Sequence, residues 1–180
     1  MDYLPVAMTA VCSRVDAIVV ERFQDASSRR IPFQQKIGAG LTPAEFEKKL
    51  ASGNFGHVGL SESAALIAHA MRWEIDSENE EIRPILSPDG ASVQGIEQVY
   101  VGKERDRERI RLHFRAALSE PNPRDRIMIR GEPNLESTIP GAVQGDIATV
   151  SIVINAAHRI RGARAGLVTM VDVPCIHVGT

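Results

Sequence analysis

Two runs of alternating character, SVQGIEQVYVGK (92–103) and RIRLHFRAAL (109–118), stand on either side of the charged stretch GKERDRER. A side-chain period of two fits a strand and no helix, and two such runs joined by a short polar turn form an antiparallel hairpin. A hairpin with one apolar face needs a second layer to cover it, so the rest of the chain must supply helices or another sheet. Further strands are expected at VDAIVVERF (15–23), at RDRIMIRGEP (124–133) and at EEIRPILS (80–87), where Pro84 marks an edge position. Helices are expected over 3–12, over TPAEFEKKLAS closed by Gly53, and over LSESAALIAHAMRWEI with Ser61 as N-cap. A long helix from Asp146 should turn Ile147, Val150, Ile154 and Ala157 toward a core, followed by an extended apolar tail over 166–178. The expected fold is therefore α+β: a mixed, largely antiparallel sheet with helices packed on one face, built as one domain over 1–180. The strands from Ser92 to Arg130 should run as a meander. Val99, Val101, Ile110, Leu112 and Phe114 supply more apolar strand positions than one layer needs, so the second sheet face should self-associate into a homodimer or homotetramer.

Composition removes several classes of function. A net charge of −2, from 21 basic and 23 acidic residues interspersed, leaves no footprint for nucleic acid. The longest apolar run, IATVSIVINAAH, is too short to span a bilayer, and the start lacks the basic region of a signal peptide, so a cytoplasmic protein is expected. Cys12 and Cys175 have no CxxC spacing and His69, His113, His158 and His177 no ligand spacing; two buried free thiols and no metal are expected. Neither a GxGxxG fingerprint after a strand nor a Walker A loop is present, so this chain alone should bind no dinucleotide.

Two stretches carry candidate chemistry. In DASSRRIPFQQKIGAGLTPAEF (25–46), Arg29, Arg30 and Lys36 precede the turn Gly38-Ala39-Gly40, which runs into a helix start marked by Thr42, Pro43 and Glu45. Guanidinium, ammonium and helix-start amides are the groups that collect a carboxylate or phosphate. The same residues also make a serviceable basic loop-to-helix turn, and the residues alone leave both readings open. If that loop is extended, only one of the adjacent arginines can point into a cleft. In NFGHVGLSES, His57 sits between glycines where a ring could meet a ligand as a catalytic group, or simply pack at a helix start; Glu62 could orient it or complement the helix dipole.

The stretches VERFQDASSRRIPFQQKIGAGLTPAEFEKKLASGNFGHVGLSESAALIA, EPNPRD, GDIATVSIVINAAHRI and GLVTMVDVP together resemble the C-terminal half of the 2,4-diaminopentanoate dehydrogenases, a family of the dihydrodipicolinate reductase-like group. The resemblance covers nearly the whole chain. It implies the C-terminal domain of a two-domain Rossmann oxidoreductase, with the Rossmann half absent here and MDYLPVAM following the inter-domain crossover. It also implies NAD or NADP held by that other half, and a reaction in which a diamino acid loses hydride from an amine-bearing carbon and is hydrolysed to a ketone and ammonia. The loop from Arg29 to Gly40 is the positional counterpart of the segment that holds substrate carboxylate in the reductases. The paired histidines of the reductases are missing, which argues against dihydrodipicolinate as substrate. The alternatives are a reductase-like enzyme of other substrate and a stand-alone binding or dimerisation module.

Overall fold

The hairpin forms as the alternation requires, with β3 (Val93–Glu104) and β4 (Arg107–Ala117) in antiparallel register from Gly95↔Ala117 to Glu104↔Arg107. The structure is a computed structural model that describes residues 1–53 and 55–178. It divides into a unit from Met1 to Ala142 and a second from Val143 onward.

The first unit contains α1 (Tyr3–Met8), β1 (Arg14–Asp25), α2 (Ile31–Lys36), α3 (Pro43–Ala51), α4 (Leu60–Met71), β2 (Ser77–Leu86), the hairpin, β5 (Arg124–Glu132) and β6 (Leu135–Pro140). Its six strands lie in the order β2-β3-β4-β1-β5-β6. The sheet is mixed because β1 runs parallel to β4 and antiparallel to β5. This corrects the expected meander: β1 inserts between β4 and β5. A parallel pair needs a long crossover, and the segment from α2 through β3 supplies it. Pro84 lies in β2, which has β3 on one side only, the edge position where a residue without an N–H is tolerated.

Even-numbered positions of the central strands build the core. Ile18, Val20, Ile96, Tyr100, Ile110, Leu112 and Phe114 pack with Ile37, Phe46, Leu60, Ala64 and Ile67 from the helical segment. Helix α3 starts as its sequence dictates, with Thr42 and Glu45 in a reciprocal capping box and Pro43 in the first turn. Helix α4 is capped by Gly59 at φ 121° rather than by Ser61, because the chain enters in a conformation that side-chain-bearing residues avoid.

The opposite sheet face carries ion pairs where the sequence suggested apolar surplus. Ile110, Leu112 and Phe114 all point to the helices; Val99 and Val101 share the other face with Arg124–Glu21 (2.8 Å), Arg115–Glu97 (3.1 Å) and Arg126–Glu136 (2.9 Å). Phe23 lies there too, with the guanidinium groups of Arg115 and Arg124 at 5.4 and 4.2 Å from its ring centre.

The second unit holds α5 (Gly145–Arg159), whose N-cap is Gln144, with Asp146 in the first turn. The expected burial of its apolar stripe does not occur: Ile147, Val150 and Ile154 are 67, 59 and 53% exposed, and Ala157 is exposed as well. An apolar period identifies a helix and its sticky face without saying what covers that face. The tail is not simply extended, since the Asp172 carboxylate closes a turn by accepting from the Thr169 N–H and hydroxyl, each at 2.8 Å. The thiols also depart from expectation, Cys12 being half-buried and Cys175 exposed.

Candidate functional site

The helix-covered face of the sheet changes character toward the end of β1. After Ile18 and Val20, the same face presents Arg22 and Gln24, and β4 places Phe114 directly beside Arg22. Arg22 is held by Asp125 of β5 at 2.9 Å. Gln24, nearly buried, lies between Arg22 and Arg29: in one amide orientation its oxygen accepts from Arg29 at 3.3 Å, in the other from Arg22 at 2.7 and 2.9 Å. The two adjacent arginines are placed differently. Arg29 is half-buried, turned toward Gln24 and laid over the Phe33 ring at 4.2 Å, whereas Arg30 is exposed and forms the N-cap of α2.

The rest of the basic loop is less of a loop than its composition suggested. Residues 31–36 form α2, which carries Lys36 away from the arginines to its far end. There Lys36 helps line a recess of about 360 Å³ with Lys49, Ser52, Phe55 and Gly56. The Gly38-Ala39-Gly40 turn spends its own amides internally, Gly38 and Ala39 on Gln35 and Gln34 and Gly40 on Val93 at 2.9 Å. Gly38 is favoured by its φ of 79°, and a Cβ there would also press on Phe55 and Phe46 at 3.0 and 3.1 Å. The α3 start is likewise occupied, since the Glu45 carboxylate accepts from the Thr42 N–H at 2.8 Å. An incoming anion would therefore meet side-chain cations here, with the helix-start amide and the turn's amides already engaged.

His57 is brought to these cations by the segment between α3 and α4. Its ring stacks on Phe114 with 4.4 Å between centroids and 21° between planes. Its backbone is bonded at both ends to Gln98 of β3. Neither ring nitrogen has a hydrogen-bond partner among the described residues. Burial, and then the positive charges of Lys36, the N-terminal amine and Arg22, push the imidazole down to about 4, with Glu62 opposing weakly. At neutral pH the ring is uncharged and offers an acceptor nitrogen beside cations. Such a ring makes stability depend on pH. The unfolded chain, with its histidine near 6.5, binds more protons than the folded one between that value and about 4. The stabilisation is fully present above the unfolded value and is lost as pH falls toward the folded one. Denaturant midpoints at about pH 7 and about pH 5 should show this loss, and a His57→Gln variant should lose less over the same interval.

Sequence reasoning named Arg29, Arg30, Lys36, His57 and the Gly38-Ala39-Gly40 turn as candidates; it did not include among them Arg22, Gln24, Gln98 and Phe114, which the fold places against Arg29 or His57. The signal for the first two was available: a polar pair continuing the apolar period of β1. Gln98 and Phe114 could be linked to His57 only through strand register. Among the described residues no cluster of three or more His, Cys, Asp or Glu could hold a metal, and no helix is long and apolar enough to cross a membrane.

Comparison with known proteins adds a frame. Residues 1–179 match the sequence profile described as the 2,4-diaminopentanoate dehydrogenase C-terminal domain. A curated relative, the 2,4-diaminopentanoate dehydrogenase of Acetoanaerobium sticklandii, is 30% identical over 191 residues that cover 97% of this chain and 54% of the relative. The solved amine dehydrogenase from Mycobacterium smegmatis superposes with a TM-score of 0.83 at 16% identity, covering 99% of this chain and 56% of that one, a likeness of fold. The chain thus spans about half the length of each.

Proposed function

The chain belongs to the 2,4-diaminopentanoate dehydrogenase C-terminal domain family, and from that premise we propose that it is the substrate-binding half of a nicotinamide-dependent dehydrogenase that oxidises the amine-bearing carbon of a diamino acid. The sequence lacks a strand-glycine-helix fingerprint for a dinucleotide, so in this reading NAD or NADP is held by a further domain of a longer protein, where its chemistry is to accept hydride. This chain's own residues bind and orient. Lys36, whose charge reaches His57, draws in the carboxylate, with Arg22, braced by Asp125, adding positive field. His57 accepts a hydrogen bond from the reacting amine. Loss of hydride and addition of water then release ketone and ammonia.

The observation that carries this beyond the family is the placement of the His57 ring, stacked at 4.4 Å on Phe114, the strand partner of Arg22, where burial and the charges of Lys36 and Arg22 disfavour its protonation. A diamino acid presents both charges, and the site offers cations for its carboxylate and a neutral acceptor for an ammonium or amine. A bound carboxylate would also offset the positive charges that depress the ring, raising its basicity once substrate is present. The test is coenzyme reduction by the longer protein with 2,4-diaminopentanoate and, in parallel, a simple alkyl amine. Turnover that prefers the diamino acid is expected. Equal turnover of the alkyl amine would remove the carboxylate role, and no turnover of either with NAD or NADP would overturn the proposal.

A further inference from the structure

We propose that Gln98 is the positioning residue for His57, a carboxamide clip that reads the histidine backbone as a neighbouring strand would. Gln98 is 2% exposed on a face otherwise filled by Ile96, Tyr100 and their apolar neighbours. A buried amide in such surroundings is costly unless its polar atoms are paired. Here they are paired mainly on one residue: Oε1 accepts from the His57 N–H at 2.8 Å and Nε2 donates to the His57 carbonyl at 3.1 Å. The remaining Nε2 proton goes to the Glu80 carboxylate on β2. This network fixes the amide orientation, because a backbone N–H can only donate and an ionised carboxylate can only accept.

The segment is shaped to receive the clip. Gly56 has φ 113°, and a Cβ there would stand 2.6 Å from Ile82 Cδ1 and 3.2 Å from Gln98 Oε1. Any other residue would be strained at this φ and would have to push Ile82 and the Gln98 amide aside, so glycine lets the backbone lie close to the sheet. With its backbone pinned to β3, His57 lays its ring on Phe114 of the adjacent β4.

The assignment of His57 to the reacting amine rests on the proposed function, but the clip is testable without it. In the unmodified 180-residue chain, the His57 amide should exchange with solvent at least about ten-fold more slowly than that of Val58, as a bonded amide does beside an exposed neighbour. Equal exchange would overturn the clip. In Gln98→Leu, and in Gln98→Glu, which keeps an acceptor but loses both donors when ionised, the ring-current shift of the His57 ring protons should diminish. Its titration should rise toward the ordinary histidine value, while His69, His113, His158 and His177 are unmoved. Unchanged His57 shifts in a folded Gln98→Leu chain would overturn the proposal. In the longer enzyme both variants should reduce kcat by roughly ten- to a hundred-fold with coenzyme KM unaltered. A displaced ring with unaltered kcat would uphold the clip and count instead against His57 as a substrate contact.

Discussion

Replacing His57 with alanine in the longer enzyme is expected to lower kcat/KM for the diamino acid by roughly a hundred-fold, the lower end of what positioned acid–base groups contribute. In the proposed role the ring is a neutral acceptor near Lys36 and Arg22, and alanine would leave the amine without its partner. His57→Gln, which retains an acceptor without a titrating ring, should recover part of the binding loss but leave kcat low. The pH profile gives a separate check. The acid limb of kcat/KM reports the free enzyme, where burial and the charges of Lys36 and Arg22 lower the ring, and that of kcat reports the substrate complex. If carboxylate binding offsets the surrounding positive charge, the kcat limb should lie at the higher pH. Coincident limbs, or wild-type kinetics for His57→Ala, would leave His57 as a packing residue on Phe114.

Gly95→Ala is expected to be the most damaging single methyl group in the chain. Gly95 has no positive φ, so the reason is space. A Cβ would lie 2.0 Å from the Ala116 carbonyl oxygen and 2.5 Å from the Ala117 Cα, both backbone atoms of the paired strand β4. A flexible side chain could swing aside, but β4 is bonded on its other edge to β1 and cannot move without opening the sheet. Roughly 3 kcal/mol of destabilisation is expected, the upper range for overpacking. Gly40→Ala is the control. Its Cβ would meet nothing within 4 Å, and its cost is only that of φ 85°, about 1 kcal/mol. Urea midpoints that place Gly40→Ala at or below Gly95→Ala in stability would show that the close strand approach is not real.

Both variants act at points the sequence marks only faintly. Gly95 reads as one small residue in an alternating strand, and His57 as one ring between two glycines. The contact that makes each costly to replace belongs to another element, more than twenty residues away in the case of Gly95 and Ala116 and more than forty for His57 and Gln98.

What the sequence determined by itself was local. Side-chain period set the hairpin, the strands around Ile18, Ile82 and Ile127, and the helix stripes. Thr42, Pro43 and Glu45 set the start of α3, and Pro84 kept β2 at an edge. Short elements escaped: α2 and β6 have six residues each, too few for a period to emerge. Only the tertiary structure decided the rest. It inserted β1 between β4 and β5, which places Arg22 beside Phe114 and Asp125, and it turned Arg29 inward while leaving Arg30 exposed. It also separated Lys36 from the arginines along α2 and bound the His57 backbone to Gln98. The physical reason is that a residue's propensity and period act over a few neighbours along the chain. Strand order and burial instead follow from which apolar faces can close on one another, a choice that involves every element at once.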